Sequence, residues 1–125
     1  MMVQWCENEN VTWGSNGLYR CIKPLVDEWD PLGLLALGAP DDEYDCLTLY
    51  LMERCLEDWN RSQLTHDLCS FIEGHFGIGP CMMKRDRAEL WHEHIDQFCY
   101  VLCTHRETLE LEVHKFIEVC RTKAN

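Results

Sequence analysis

Basic residues are scarce in this chain of 125 residues: 11 Lys and Arg stand against 22 Asp and Glu, a formal net charge of −11. Such a surface repels nucleic acid and anionic membranes at long range and attracts a basic partner. Long apolar runs are missing too. No stretch approaches the roughly 20 apolar residues of a membrane-spanning helix, and the first ten residues lack the basic and apolar regions of an export signal. There is no G-x-S-x-G elbow, no P-loop and no H-E-x-x-H; Trp91-His92-Glu93-His94 does not match the zinc motif. No catalytic residue and no cofactor is therefore assigned, and a binding role is expected in place of an enzymatic one. Strand-like alternation is also absent. With 46% hydrophobic and 26% charged residues, disorder is excluded.

Cysteine is abundant. The nine thiols are scattered and form no C-x-x-C pair. In a chain without an export signal, they are expected to be reduced, mostly buried and cytoplasmic.

What remains is helical periodicity. Leu18, Cys21, Ile22, Leu25, Val26 and Trp29 follow the i, i+3, i+4, i+7 pattern, with Asn16 or Gly17 at the start. Pro24 interrupts it, which predicts a kinked or two-part helix. Asp30-Pro31 ends the pattern, and the Gly-dotted apolar stretch up to Pro40 reads as an ordered, partly buried loop. A second helix is expected over 41–60, capped by Asp41 or Asp42, with Tyr44, Leu47, Leu51, Cys55 and Trp59 in one stripe. A third spans 62–76 and stops at Gly77. A fourth covers 86–103, started by Asp86, with Leu90, Trp91, His94, Ile95, Phe98, Val101 and Leu102 on its buried face. Thr104-His105-Arg106-Glu107 matches a capping box. It can open a last helix with Leu109, Val113, Phe116, Ile117 and Cys120 on one face, although a single long bent helix fits as well. Before the first helix, Trp5 and Trp13 are expected to anchor an N-terminal extension. The fold class is all-α, a compact bundle of about five helices in one domain.

The charge is unevenly spread. Between Asp27 and Asp58 lie ten acidic residues opposed by Arg54 alone, a local charge of −9. A one-sign patch can be a solvated surface or a docking face for a basic protein. The candidate partner-binding carboxylates are Asp27, Glu28, Asp42, Glu43, Asp45, Glu53 and Glu57. Asp30 and Asp41 are set aside as caps.

The segment Trp29-Asp30-Pro31-Leu32-Gly33-Leu34, followed by Ala39-Pro40-Asp41-Asp42-Glu43-Tyr44-Asp45, resembles the signature of a family of small helical bacterial proteins. The family pattern is close to W-D-P-I-G-L, a short loop, then A-P-x-D-E-Y-D. The likeness covers about residues 18–77; residues 1–15 and 81–125 lie outside it. The family includes immunity proteins of toxin systems of the contact-dependent growth inhibition type. The resemblance therefore implies a cognate toxin domain as partner and no chemistry of the chain's own. The alternatives are a metal-binding or redox-responsive protein using the C-terminal Cys and His residues, and a helical accessory subunit. His92, Asp96, Cys99 and Cys103 share a stripe whose ends are about 16 Å apart at helical rise. Cys99 and Cys103 with His105 or His114 are the nearest approach to a zinc set; no metal site is assigned.

Overall fold

The computed structural model describes residues 16–123; Cys6 and the expected Trp5 and Trp13 anchors lie outside the described residues. The fold is all-α. It comprises α1 (Gly17–Trp29), α2 (Asp45–Cys55), α3 (Arg61–Phe76), α4 (Arg85–Thr104) and α5 (Arg106–Lys123), with a short 3-10 turn at Pro80–Met82 and no strand among the described residues. No described helix is long and apolar enough to cross a membrane. The described residues up to Glu57, together with those from Glu107 onward, form one compact unit; Asp58–Arg106 form another.

In the first unit, Leu18, Ile22 and Val26 form the buried stripe of α1, at the spacing the sequence implies. Leu47, Leu49, Leu51, Met52 and Cys55 of α2 are buried, and so are Tyr44 before it and Leu109 on α5. Asn16 caps α1, its Oδ1 accepting from the Leu18 and Tyr19 amides at 2.9 and 3.2 Å. The two-part reading of this helix is corrected: α1 is one continuous helix with Pro24 inside it. Helix α2 is also shorter than expected. Its N-cap is Tyr44, and neither Asp41 nor Asp42 caps it. The reason lies in two turns that come first, Glu43 N–H to the Pro40 carbonyl and Asp45 N–H to the Asp42 carbonyl.

In the second unit, α3 packs on α4. Leu64, Leu68 and Ile72 face inward from α3, and Ile95, Phe98, Cys99 and Leu102 from α4. Asn60, expected inside the preceding helix, is the cap of α3, accepting from the Gln63 amide at 2.9 Å. Gly77 ends α3 with a left-handed residue, as expected. Asp86 is not the cap of α4; that position is Lys84. Leu90 and His94, assigned to the buried face of α4, are exposed. The helix is interrupted at His105, so α4 and α5 are separate helices. The capping box does not form there: Thr104 remains in α4 and its hydroxyl donates to the Val101 carbonyl at 2.6 Å. On α5, Ile117 and Cys120 are exposed, and only Leu109 of the expected face is buried.

Pro24 gives the first prediction. It is exposed and costs α1 a backbone hydrogen bond. Pro24→Ala should raise stability by about 2 kcal/mol: the helix regains roughly 3 kcal/mol, less up to about 1 kcal/mol from the freer unfolded chain. A urea titration followed by circular dichroism measures the difference.

Candidate functional site

All seven candidate carboxylates fall in the first unit, on α1, on α2, or at the turns beside them. They divide by what neutralises them. Lys23 reaches out from the middle of α1 and collects three acceptors. Its Nζ lies 3.1 Å from Asp27 Oδ2, 3.2 Å from Asp45 Oδ1 and 2.7 Å from the Asp41 carbonyl. The Tyr19 hydroxyl donates to the same Asp45 oxygen at 2.9 Å. Burial alone would lower the Lys23 pKa, but its bonds to Asp27 and Asp45 outweigh that and raise it. Burial and the Asp45 bond push Tyr19 up in turn. Asp27 and Asp45 are thus internal partners of a cation that stands just before the acidic segment. Just past the end of α2, Glu57 pairs with Arg54 of that helix. Glu53 is half-buried.

Glu28, Asp42 and Glu43 are different. All three are exposed, as is Asp41. Among the described residues, none of these four carboxylates takes an ion-pair partner.

The loop between α1 and α2 explains why the signature residues are there. Asp30 ends α1 in the left-handed region, φ 43° and ψ 61°, a conformation that Asp tolerates better than most residues. From that position its carboxylate turns back over the loop. Oδ1 accepts from the Leu35 amide at 3.1 Å and from the Tyr44 hydroxyl at 2.5 Å; Oδ2 accepts from the Ala36 amide at 3.0 Å. The Tyr44 oxygen meanwhile accepts from the Leu32 and Leu34 amides at 3.2 and 3.3 Å. Two side chains therefore satisfy four loop amides. Gly33 and Gly38 close the path with φ of 69° and 97°, where a side chain would be strained. Asp30 was expected to act as a cap, and it does, of a loop as well as of a helix end. The bond to Tyr44, 14 residues on, was missed. The Asp-Pro-x-Gly turn chemistry is legible, but its tyrosine partner has no fixed spacing in sequence.

The second unit carries a polar cluster around Asp96, which shares a helix stripe with His92, Cys99 and Cys103. Asp96 is gripped in two-pronged fashion by Arg61, Nε to Oδ1 at 3.0 Å and a terminal nitrogen to Oδ2 at 2.7 Å. Thr65 Oγ1 lies 3.1 Å from Asp96 Oδ1, and Tyr100 sits under the Arg61 guanidinium at 5.0 Å. The Arg61 bonds hold the Asp96 carboxyl below its usual range. Arg106 lies over the Trp59 ring at 4.3 Å and donates to its carbonyl at 2.7 Å. Cys99 is buried, which pushes its thiol up to about 11, and Asp96 adds to the shift. His105 Nδ1 is 3.0 Å from the Val101 carbonyl, and His92 and His114 are exposed. Among the described residues, no group of three or more His, Cys, Asp or Glu is placed to hold a metal. The eight described cysteines are free thiols. The expectation that most are buried needs correction: Cys55 and Cys99 are buried, four are half-buried, and Cys81 and Cys120 are exposed. Helix faces that periodicity marks as apolar are partly solvent-facing here.

The Asp30–Tyr44 pair fixes a pH signature. Burial opposes the Asp30 charge, but the Tyr44 hydroxyl and the loop amides outweigh it and hold the carboxyl below its usual 3.8. Its contribution is complete above that pH and is lost as the pH falls below it. Burial and the Asp30 bond push Tyr44 from 10.0 up to about 12, against the loop amides that favour its ionised form. Its contribution is complete below pH 10 and disappears as the pH rises towards 12. Tyr44→Phe should lower stability by about 1–3 kcal/mol at neutral pH, because the half-buried Leu32 and Leu34 amides lose their acceptor and Asp30 loses a donor. It should also flatten the alkaline limb of a stability–pH curve, and Asp30→Asn should flatten the acid limb. Urea midpoints measured across pH for both variants check these outcomes.

Comparison of the chain with protein-family models, with curated proteins and with solved structures finds no match.

Proposed function

We propose that this protein is an immunity-type inhibitor that binds a cognate toxin domain and neutralises it through an acidic face of its first unit. The observation that carries the reading is the local charge of −9 between Asp27 and Asp58, within which Glu28, Asp42 and Glu43 are exposed and take no ion-pair partner among the described residues. The resemblance of residues 29–45 to the immunity-protein signature supports it from an independent side. Net charge of this kind speeds encounter with a basic protein and suppresses binding to nucleic acid. A toxin that acts on nucleic acid presents Lys and Arg to hold phosphates, and those cations are what an acidic inhibitor can occupy.

The carboxylates have different tasks under this reading. Glu28, Asp42 and Glu43 contact the partner, and half-buried Glu53 is an additional contact. Asp27 and Asp45 hold Lys23, and Glu57 answers Arg54. Loss of Asp27 or Asp45 would disturb the fold before it disturbed binding, whereas the exposed Glu57 pair contributes little to stability.

Charge reversal separates the groups. The partner for the assay is the toxin domain that this reading expects a neighbouring gene to encode. Glu28→Lys, Asp42→Lys and Glu43→Lys should each weaken binding to it, by about 2–5 kcal/mol at a central, desolvated position. A rim position should mainly slow association and reduce its salt dependence. Calorimetry and stopped-flow kinetics, with circular dichroism to confirm folding, give the readout. If protection from the toxin survives all three reversals at unchanged affinity, the acidic-face model is wrong.

A further inference from the structure

Leu37 is the most exposed large apolar side chain among the described residues, at 84%. One exposed leucine needs no explanation by itself. This one differs in what holds it. It stands on the loop whose amides Asp30 and Tyr44 satisfy, one residue beyond the Ala36 amide that Asp30 binds. Its own N–H lies 3.2 Å from both the Gly33 and the Leu34 carbonyls. The next two amides, Gly38 and Ala39, bond the Leu35 and Leu34 carbonyls at 3.0 and 2.9 Å. The backbone on both sides of Leu37 is thus tied down, and the side chain projects into solvent.

The neighbours share its character. Ala36, Gly38 and Pro40 are exposed and carry no polar side-chain group, and directly after Pro40 come the exposed Asp41, Asp42 and Glu43. Along the chain, an exposed apolar stretch therefore leads directly into exposed carboxylates. Protein interfaces have that anatomy, with an apolar centre and a polar rim. An anchor on an already ordered loop forfeits little freedom on binding, so most of its burial appears as affinity.

The geometry points to Leu37 as the apolar anchor of the docking surface, inserted into a nonpolar pocket of a basic protein whose Lys and Arg residues face Asp42 and Glu43. This inference rests on the proposed acidic-face reading and names the apolar centre of that same surface. Charge complementarity selects the occupant: a second copy of this chain would bring another acidic edge against the first.

The test uses the full chain. In cells of its own host, Leu37, Asp42 or Glu43 is replaced by the photo-crosslinker p-benzoylphenylalanine, with Leu90, exposed in the other unit, as the control position. The captured protein is identified by mass spectrometry, purified, and titrated against wild type, Leu37→Ala, Asp42→Lys and Glu43→Lys. Leu37→Ala removes an exposed side chain and should leave circular dichroism unchanged.

Position 37 should capture a basic protein that position 90 does not. Leu37→Ala should weaken its binding by about tenfold or more, through faster dissociation and with the salt dependence intact. The two charge reversals should instead slow association and reduce the salt dependence. If the reversals weaken binding while Leu37→Ala stays within about twofold of wild type, the anchor is refuted and the acidic face stands. If Leu37→Ala weakens binding while both reversals leave affinity and salt dependence unchanged, the acidic face is refuted, and the basic pocket with it. Capture at 42 or 43 without capture at 37 refutes the anchor alone. Capture at none of the three positions refutes both.

Discussion

The bond between Asp30 and Tyr44 is the constraint on which the first unit depends. Burying a phenol hydroxyl and half-burying a carboxylate is unfavourable unless each finds partners. Here they are partners of one another, and their remaining capacity is used on four loop amides. The pair also sets the distance between the end of α1 and the start of α2, because Asp30 closes one helix and Tyr44 opens the other. The loop's path follows from that closure. So does the left-handed backbone at Asp30, a conformation that persists only where the surroundings over-determine it.

A second closure lies beside the first. Lys23 draws together Asp27 on its own helix, Asp45 at the start of α2, and the carbonyl of Asp41 between them. Without that cation, two carboxylates would face each other across the α1–α2 contact in an already acidic segment. One lysine placed outside the segment therefore decides which acids are structural. The segment's charge, counted along the sequence, overstates what solvent or a partner meets.

The parts of this architecture that were legible in sequence share a property: they are local. The stripe of Leu18, Ile22 and Val26, the Asn16 start and the Gly77 stop each depend on residues within one or two turns. The all-α class follows from such periods repeated along the chain. The errors came where a tertiary partner competes with a local rule. Asp41 and Asp42 are good caps by composition, yet the turns that deliver Tyr44 to Asp30 displace the start of α2 to Asp45. Pro24 reads as a kink or a break, yet α1 runs unbroken through it, with Ile22 and Val26 buried on either side. Asp96 shares a helix stripe with His92, Cys99 and Cys103, but the group that takes both its oxygens is Arg61, 35 residues earlier. At Tyr44 and at Asp96 a partner distant in sequence decided the outcome, and single-residue chemistry carries no record of where that partner is.

The candidate site was legible in the same partial way. Composition located the acidic segment, but only packing distinguishes Asp27 and Asp45, which are held by Lys23, from Glu28, Asp42 and Glu43, which are exposed. The distinction has an energetic consequence. A carboxylate already paired inside the fold must give up that pair to meet a partner's cation, so its net gain on binding is small. An exposed carboxylate gives up only water. At long range the whole segment still acts together, since steering depends on summed charge and not on individual contacts. Paired and unpaired acids therefore contribute comparably to the rate of encounter and unequally to the lifetime of a complex. The residues that make the first unit fold and those that make it attractive to a basic protein overlap in charge while differing in contact. The Lys23 cluster marks the line between them.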